Sequence, residues 1–245
     1  MKLLICGVMG KMGQLLVHQA LANLQMTLMG GVDSRGRKMQ GCDIFQTFDD
    51  APLADVIIDF SYPDQLDSLL TYALDHHVPL VLATTGYTPQ QEQAIISASE
   101  KLPIFRSANF SYGVLVMRKL LAVASELLGE GFDIELIEAH HNQKADAPSG
   151  TAKLLVKTIN DALPSVRDVV LNHNQGKRNP DTIGVHAIRA GAIAGDHTVL
   201  FASESESIEI SHRAFSKEVF AQGALRAATF IANKPNGLYT MDDLI

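Results

Sequence analysis

The chain has 245 residues, room for one large domain or two modest ones, since domains usually span about 100–200 residues. Apolar residues make up 47% and charged residues 19%, a balance that excludes a disordered or fibrous chain. A formal charge of −7 excludes a surface built for nucleic acid or for an anionic membrane, so an anionic ligand must meet a local cationic pocket.

The only cysteines are Cys6 and Cys42, and Cys6 sits inside an apolar run, which fits a reducing compartment, the cytoplasm, better than a disulfide framework. Met1-Lys2 leads directly into Leu3-Leu4-Ile5, too short for the apolar region of a signal peptide, and no membrane span of about eighteen apolar residues is expected.

In chain order, short apolar runs alternate with longer helical stretches. Leu3–Cys6 precedes Met12–Leu24; Thr27–Val32 follows; Val56–Phe60 precedes Pro63–His76; Pro79–Ala83 precedes Pro89–Lys101; and Ile104–Arg106 closes the series. Val56-Ile57-Ile58 lacks polar alternation, as a parallel strand covered by helices on both faces should. The first half therefore reads as an α/β, Rossmann-like doubly wound sheet. After Asn109-Phe110-Ser111 a helical run, Val114–Leu128, gives way to strand-like segments at Phe132–Ala139, Val166–Leu171, Thr182–Ala190, His197–Ala202 and Ser207–Ser211. Alternation such as Ile208-Glu209-Ile210-Ser211 suits a mixed or antiparallel sheet with one packed face, a second α+β domain. Val114–Leu121 reads as core, and Lys217–Ala232 returns to helical periodicity.

Gly7-Val8-Met9-Gly10-Lys11-Met12-Gly13 lies between a strand and a helix, the context in which a glycine loop lets backbone approach a pyrophosphate at a helix N-terminus. The next strand ends at Asp33, 20 positions after Gly13, where an acid would accept from the ribose hydroxyls of NAD. Arg35, Arg37 and Lys38 stand just beyond and could receive the 2′-phosphate of NADP, so NADH and NADPH both remain open. The plain alternative is a βα turn with a surface Asp. Ala83-Thr84-Thr85-Gly86 and Ser107-Ala108-Asn109-Phe110 also follow strands, where such sheets bind ligands, although ordinary turn chemistry accounts for both.

The densest chemistry is Glu138-Ala139-His140-His141-Asn142-Gln143-Lys144-Ala145-Asp146-Ala147-Pro148-Ser149-Gly150-Thr151-Ala152. His140, His141 and Lys144 place three potential cations together, and the Ser149–Thr151 turn opens a helical run whose N-terminal amides suit a carboxylate. A reductase of a conjugated imine needs an acid as well as a hydride. His140 and Lys144 are the acid candidates, with Lys144 made a better donor if other cations stand beside it; His141 and Ser149, Gly150 and Thr151 would hold carboxylates. A solvated His pair is the bland alternative, and His76-His77 reads that way. His140, His141, His173 and Asp146 could be imagined as metal ligands, but no His-Glu-x-x-His or cysteine pair supports a metal and none is expected.

The stretch Glu138–Ala152, with Gly7–Gly13, Asp59-Phe60-Ser61, Asn109–Ser111, Arg189-Ala190-Gly191, Gly195-Asp196-His197 and Gly223-Ala224, resembles the dihydrodipicolinate reductase family over nearly the whole chain. The resemblance implies NAD(P)H-dependent reduction of a hydroxylated tetrahydrodipicolinate in lysine and diaminopimelate biosynthesis. By position it makes His140 the proton donor/acceptor, Lys144 the proton donor, and His141, Gly150 and Thr151 substrate contacts. Cofactor contacts fall on Gly7, Val8, Met9, Gly10, Lys11 and Met12, on Asp33, on Ala83, Thr84 and Thr85, and on Ser107, Ala108, Asn109 and Phe110. It further implies a cofactor domain of residues 1–108 and 217–245, a substrate and oligomerisation domain of residues 109–216, a small dicarboxylate partner and a homotetramer. Ala83 stands where the family usually has Gly, Asp33-Ser34 where an acid followed by Arg is common, and Asp196 where Glu is frequent. An NAD-sensing regulator would instead show a DNA-binding helix or basic arm, which is not visible, and a dehydrogenase of another amino or keto acid is separated only by the His140–Thr151 stretch.

Overall fold

The computed structural model describes residues 1–36, 39–172 and 176–245; Arg37, Lys38 and His173, named above, lie outside these residues. The first elements along the chain are β1 (Lys2–Cys6), α1 (Lys11–Ala22), β2 (Thr27–Val32), β3 (Ile44–Phe45), β4 (Val56–Asp59), α2 (Leu66–His76), β5 (Leu80–Leu82), α3 (Pro89–Ser99) and β6 (Pro103–Arg106). They are followed by α4 (Tyr112–Leu128), β7 (Asp133–His140), α5 (Gly150–Ala162), β8 (Asp168–Leu171), β9 (Thr182–Arg189), β10 (Gly195–Ala202), β11 (Ser207–Ala214), α6 (Glu218–Ile231) and β12 (Gly237–Tyr239). Two compact units result, one of Met1–Ser111 with Glu218–Ile245, the other of Tyr112–Lys217.

The first unit carries a seven-stranded sheet in the order β12-β6-β5-β4-β1-β2-β3, its pairs parallel. Leu3, Leu4, Ile5, Val56, Ile57 and Ile58 are wholly buried, the physical counterpart of their unbroken apolar runs. Because β2 and β4 flank β1 on opposite sides, the winding reverses between β1 and β4, and a crevice opens at the carboxyl ends of the strands there. The short strands β3 and β12, two and three residues long, carry too little periodicity to be read from sequence. Pro63–Gln65, expected as helix, is a separate 3-10 turn, and α2 ends where His77 takes a left-handed φ of 55°; the exposed His76-His77 pair is a helix terminus.

Helix α6 packs on β4, β5, β6 and α1 through Ala221, Ala224, Ala227 and Ala228. Its small residues let the backbone of Phe110 lie directly on the helix: a Cβ at Gly223 would sit 1.7 Å from the Phe110 carbonyl oxygen. The neighbouring turn is closed by Asn109 Oδ1, which accepts from Ser111 N at 2.8 Å, while the Phe110 ring packs at a tilt against Phe60 and Phe105. These contacts tie Asn109–Ser111 to the first unit, three residues past the expected boundary.

The second unit has a five-stranded sheet in the order β11-β10-β7-β9-β8, with β10 antiparallel to β7 and β11 and the other pairs parallel. Helices α4 and α5 cover one face, where Val114, Met117 and Leu121 meet Leu155, Ile159, Ile134, Leu136 and Phe201. The expected core run at 114–121 is amphipathic: Val116 and Leu120 are exposed. Along β7 the side chains of Ile134, Leu136, Glu138 and His140 alternate onto the buried face, so the period of two carries two ionisable groups into the packed layer. Among the described residues no helix is long and apolar enough to cross a membrane.

Replacing Gly223 by Ala forces the Phe110 backbone off α6. Overpacking of this kind costs about 1–3 kcal/mol, and we expect a lower urea midpoint at unchanged m-value by equilibrium unfolding.

Candidate active site

In the first unit the chain leaves β1 at Gly7 with φ of 75°, and a Cβ there would lie 2.6 Å from the Phe60 carbonyl oxygen. A Cβ at Gly13 would lie 2.2 Å from the Gly7 carbonyl oxygen, so the turn and helix interlock only as bare backbone. Helix α1 then starts after Gly10 with no side-chain cap, leaving its first amides for an anionic group.

Asp33 lies beside this loop, 7% exposed. Its carboxylate accepts from Met9 N at 3.0 Å, from Arg35 N at 3.1 Å and from the Arg35 guanidinium at 2.8 Å on each oxygen. The Arg35 hydrogen bonds outweigh burial and hold the Asp33 carboxyl below its usual range. A cavity of about 240 Å³ is lined by Cys6, Gly7, Asp33, Arg35, Asp59 and Tyr62, among others, at the reversal point of the sheet. A cradle that any Cβ would fill, beside a cavity flanked by an acid and a cation, fits a dinucleotide. Ala83–Thr85 and Ser107–Phe110 follow β5 and β6; Ser107 Oγ both donates to Asn109 O at 2.7 Å and accepts from Asn109 N at 3.1 Å, so part of this loop's polarity is spent on its own turn.

In the second unit His140 ends β7, 8% exposed, with Nδ1 2.5 Å from Glu138 Oε2. Glu138 has no exposed surface, yet it also accepts from Arg189 on both oxygens at 2.8 Å and from Ser149 N at 3.1 Å. Burial pushes its pKa up, but the bonds from Arg189, His140 and Ser149 together carry it below the ordinary glutamate value. Arg189 donates further to the Asp146 carbonyl at 2.5 Å, tying the 141–149 loop to the sheet. Lys144 Nζ lies 2.7 Å from Asp146 Oδ1. Its immediate partner is thus a carboxylate and not the other cations expected beside it, and Lys144 holds the Asp146 carboxyl below its usual range.

Ser149, expected among the carboxylate contacts, is 1% exposed and spends its groups inward. Its Oγ caps α5 by accepting from Ala152 N at 3.1 Å and lies 3.3 Å from His197 Nε2. Gly150 and Thr151 follow on the first turn of α5, Gly150 exposed with open space on its Cβ side. Helix α5 starts at Gly150, inside the expected Ser149–Thr151 turn, because Ser149 is its cap. Sequence reasoning gave no role to Glu138, Arg189 and His197. Glu138 was within reach, two residues before His140 on one strand face; Arg189 and His197 arrive by register, opposite His140 and Glu138 respectively. Among the described residues no cluster of His, Cys, Asp or Glu could hold a metal ion.

A doubly wound sheet with a dinucleotide cradle at its reversal point makes the chain a nicotinamide-dependent oxidoreductase in class. Residues 1–110 match the family model described as dihydrodipicolinate reductase, N-terminus, and residues 113–245 the model described as dihydrodipicolinate reductase, C-terminus. The chain therefore belongs to the dihydrodipicolinate reductase family. A 4-hydroxy-tetrahydrodipicolinate reductase of Clostridium novyi (strain NT) is 45% identical over 100% of this chain and 98% of the relative. One of Staphylococcus carnosus (strain TM300) is 51% identical over 82% of each. Among solved structures, a dipicolinate-bound dihydrodipicolinate reductase from Paenisporosarcina sp. TG-14 superposes with a TM-score of 0.83 at 26% identity, covering 100% of this chain and 99% of that one. A C. glutamicum DAP dehydrogenase shares the fold alone, with a TM-score of 0.59 and 13% identity over 99% and 93% of the two chains.

Burial, and after it the neighbouring His140, lowers the His197 pKa from 6.5 to about 4. A histidine held neutral contributes stability above its unfolded pKa that is lost as the unfolded state takes up a proton. We expect stability to decline as pH falls from 6.5 toward about 4. His197→Gln should flatten that part of the pH–stability curve, measured by denaturant titration at a series of pH values.

Proposed function

We propose that this protein catalyses the NAD(P)H-dependent reduction of 4-hydroxy-tetrahydrodipicolinate to tetrahydrodipicolinate in lysine and diaminopimelate biosynthesis. The full-length identity of 45% to a reductase of that name carries the reading. In the overall reaction a hydride and a proton enter, the hydroxyl leaves as water, and the nicotinamide is oxidised.

Gly7–Met12 would hold the pyrophosphate, with Asp33 and Arg35 at the adenosine ribose and Ala83–Thr85 and Ser107–Phe110 toward the nicotinamide. When bound, the reduced nicotinamide supplies the hydride. His141, Gly150 and Thr151 hold the substrate carboxylates, aided by the exposed start of α5, while Ser149 shapes that turn by capping it. Lys144 delivers the proton, and His140 acts as the second proton donor/acceptor. The dicarboxylate then finds its cationic pocket in a chain of net charge −7.

The protein works as a homotetramer through the second unit's sheet. The exposed apolar side chains of Ile137 and Ile188, on the face turned away from α4 and α5, support this. Its place is the cytoplasm, in keeping with two buried free cysteines.

The test is oxidation of NADH and NADPH by the purified protein, supplied with product freshly generated by the preceding synthase. Lys144→Ala should lower kcat by about 10²–10⁴-fold with nicotinamide binding retained, as expected on losing a proton donor. Tight nicotinamide binding with no turnover of either cofactor by the wild type would overturn the reaction. Arg35→Ala should raise KM for NADPH by about ten- to a hundredfold, with a smaller change for NADH, because a charge-assisted bond to phosphate is lost.

A further inference from the structure

Four donors converge on the buried carboxylate of Glu138: two guanidinium nitrogens of Arg189, the backbone amide of Ser149 and Nδ1 of His140. Arg189 supplies the opposite charge from β9, so the carboxylate is ionised and can only accept. Nδ1 of His140 must therefore carry a hydrogen. In the neutral ring the lone pair then lies on Nε2, and in the protonated ring Nε2 bears the transferable proton. Gly195 lies beside the other nitrogen: a Cβ there would press to 3.1 Å from Nε2, so a glycine leaves that atom uncrowded.

We propose that Glu138, clamped by Arg189, is the positioning residue of the proton-transfer histidine: it fixes the Nδ1–H tautomer and presents Nε2 of His140 as the atom that exchanges the proton. This rests on the proton-transfer role proposed above for His140. Neither Glu138 nor Arg189 needs to touch substrate. The arrangement has the logic of a carboxylate that orients a catalytic imidazole through its other nitrogen, with a buried arginine added to keep that carboxylate charged.

The charged and titratable groups around the ring are few. Glu138 lies on its own strand and Arg189 on β9; Lys144 and Asp146 pair with each other in the loop that follows. His197 on β10 meets the ring edge-on at 5.2 Å between centroids, and His212 stands opposite His197 on β11. Burial keeps both of these histidines toward the neutral form, which leaves Glu138 as the charge bonded to the ring.

The experiment is long-range proton–nitrogen correlation spectroscopy on the full-length protein labelled with nitrogen-15 histidine, with the His140 signals assigned by His140→Gln. In the wild type the neutral form of His140 should be the Nδ1–H tautomer. Glu138→Gln removes the charge and can turn an amide N–H toward Nδ1, so the tautomer should shift toward Nε2–H. In the same variant kcat should fall by about a hundredfold. KM for the nicotinamide should stay within about twofold, since Glu138 lies in the second unit and the glycine loop in the first. Arg189→Lys, which keeps a positive charge, should retain the Nδ1–H tautomer with a smaller fall in kcat. An Nε2–H tautomer in the wild type overturns the proposal, as does a folded Glu138→Gln protein with wild-type tautomer and kcat. If Glu138→Gln fails to fold, the wild-type spectrum and Arg189→Lys decide alone. A wild type that shows the Nδ1–H tautomer but no turnover overturns the reaction proposed above and leaves the tautomer assignment standing.

Discussion

A carboxylate with no exposed surface cannot stay ionised inside a sheet unless donors replace the water it has lost, and in the second unit that requirement falls on Glu138. Removing an ion of this size from water costs several kcal/mol after relaxation. Hydrogen bonds to charged groups return about 1.5–3 kcal/mol each, so a complete set of four donors is what makes the burial tolerable. Three separate pieces of chain have to meet to supply them: β9 brings Arg189, the start of α5 brings the Ser149 amide, and β7 brings His140 on the same face. The register of β7 with β9, the cap of α5 and the path of the 141–149 loop are coupled through one side chain. Loss of one partner would leave a buried charge uncompensated, a penalty of about 3–5 kcal/mol.

The first unit is organised by a different constraint, the close approach of backbone to backbone. Gly7 meets Phe60, Gly13 meets Gly7, and Gly223 meets Phe110, each at a separation that leaves no room for a Cβ. The first two contacts hold the turn in which the amides at the start of α1 stand clear of side chains. The third seats the loop after β6 on the last helix, which explains why a segment so late in the chain folds with the first unit. Next to this backbone scaffold, Asp33 and Arg35 form a preset pair. Any ribose hydroxyl that seeks the carboxylate competes with a guanidinium already bonded to both of its oxygens.

Electrostatics on the two units therefore follow one rule at different depths. A net charge of −7 sets the background, and the candidate site holds local exceptions to it: Arg35 at the cavity beside the glycine loop, Lys144 and Arg189 around the histidines. Each exception is paired with an acid in the structure, Arg35 with Asp33, Lys144 with Asp146 and Arg189 with Glu138. The pairing holds these long side chains in one geometry.

The sequence by itself determined the class of the sheet, the glycine loop, Asp33 at the carboxyl end of β2, just past Val32, and the concentration of chemistry between Glu138 and Ala152. Those signals are local: apolar runs, turn glycines and a contiguous stretch of ionisable residues need no partner from elsewhere in the chain to be legible. Even Glu138 could have been found, since a period of two puts it beside His140. The tertiary structure alone decided the rest. It joined β3 and β12 to the edges of the sheet, turned the Ser149 hydroxyl inward as a helix cap, and set Asp146 rather than another cation against Lys144. It also brought Arg189 to Glu138 across 51 positions of sequence and His197 to Ser149 across 48. The physical reason is that strand register is a property of pairs of strands: no single strand contains the information about which residue will stand opposite it.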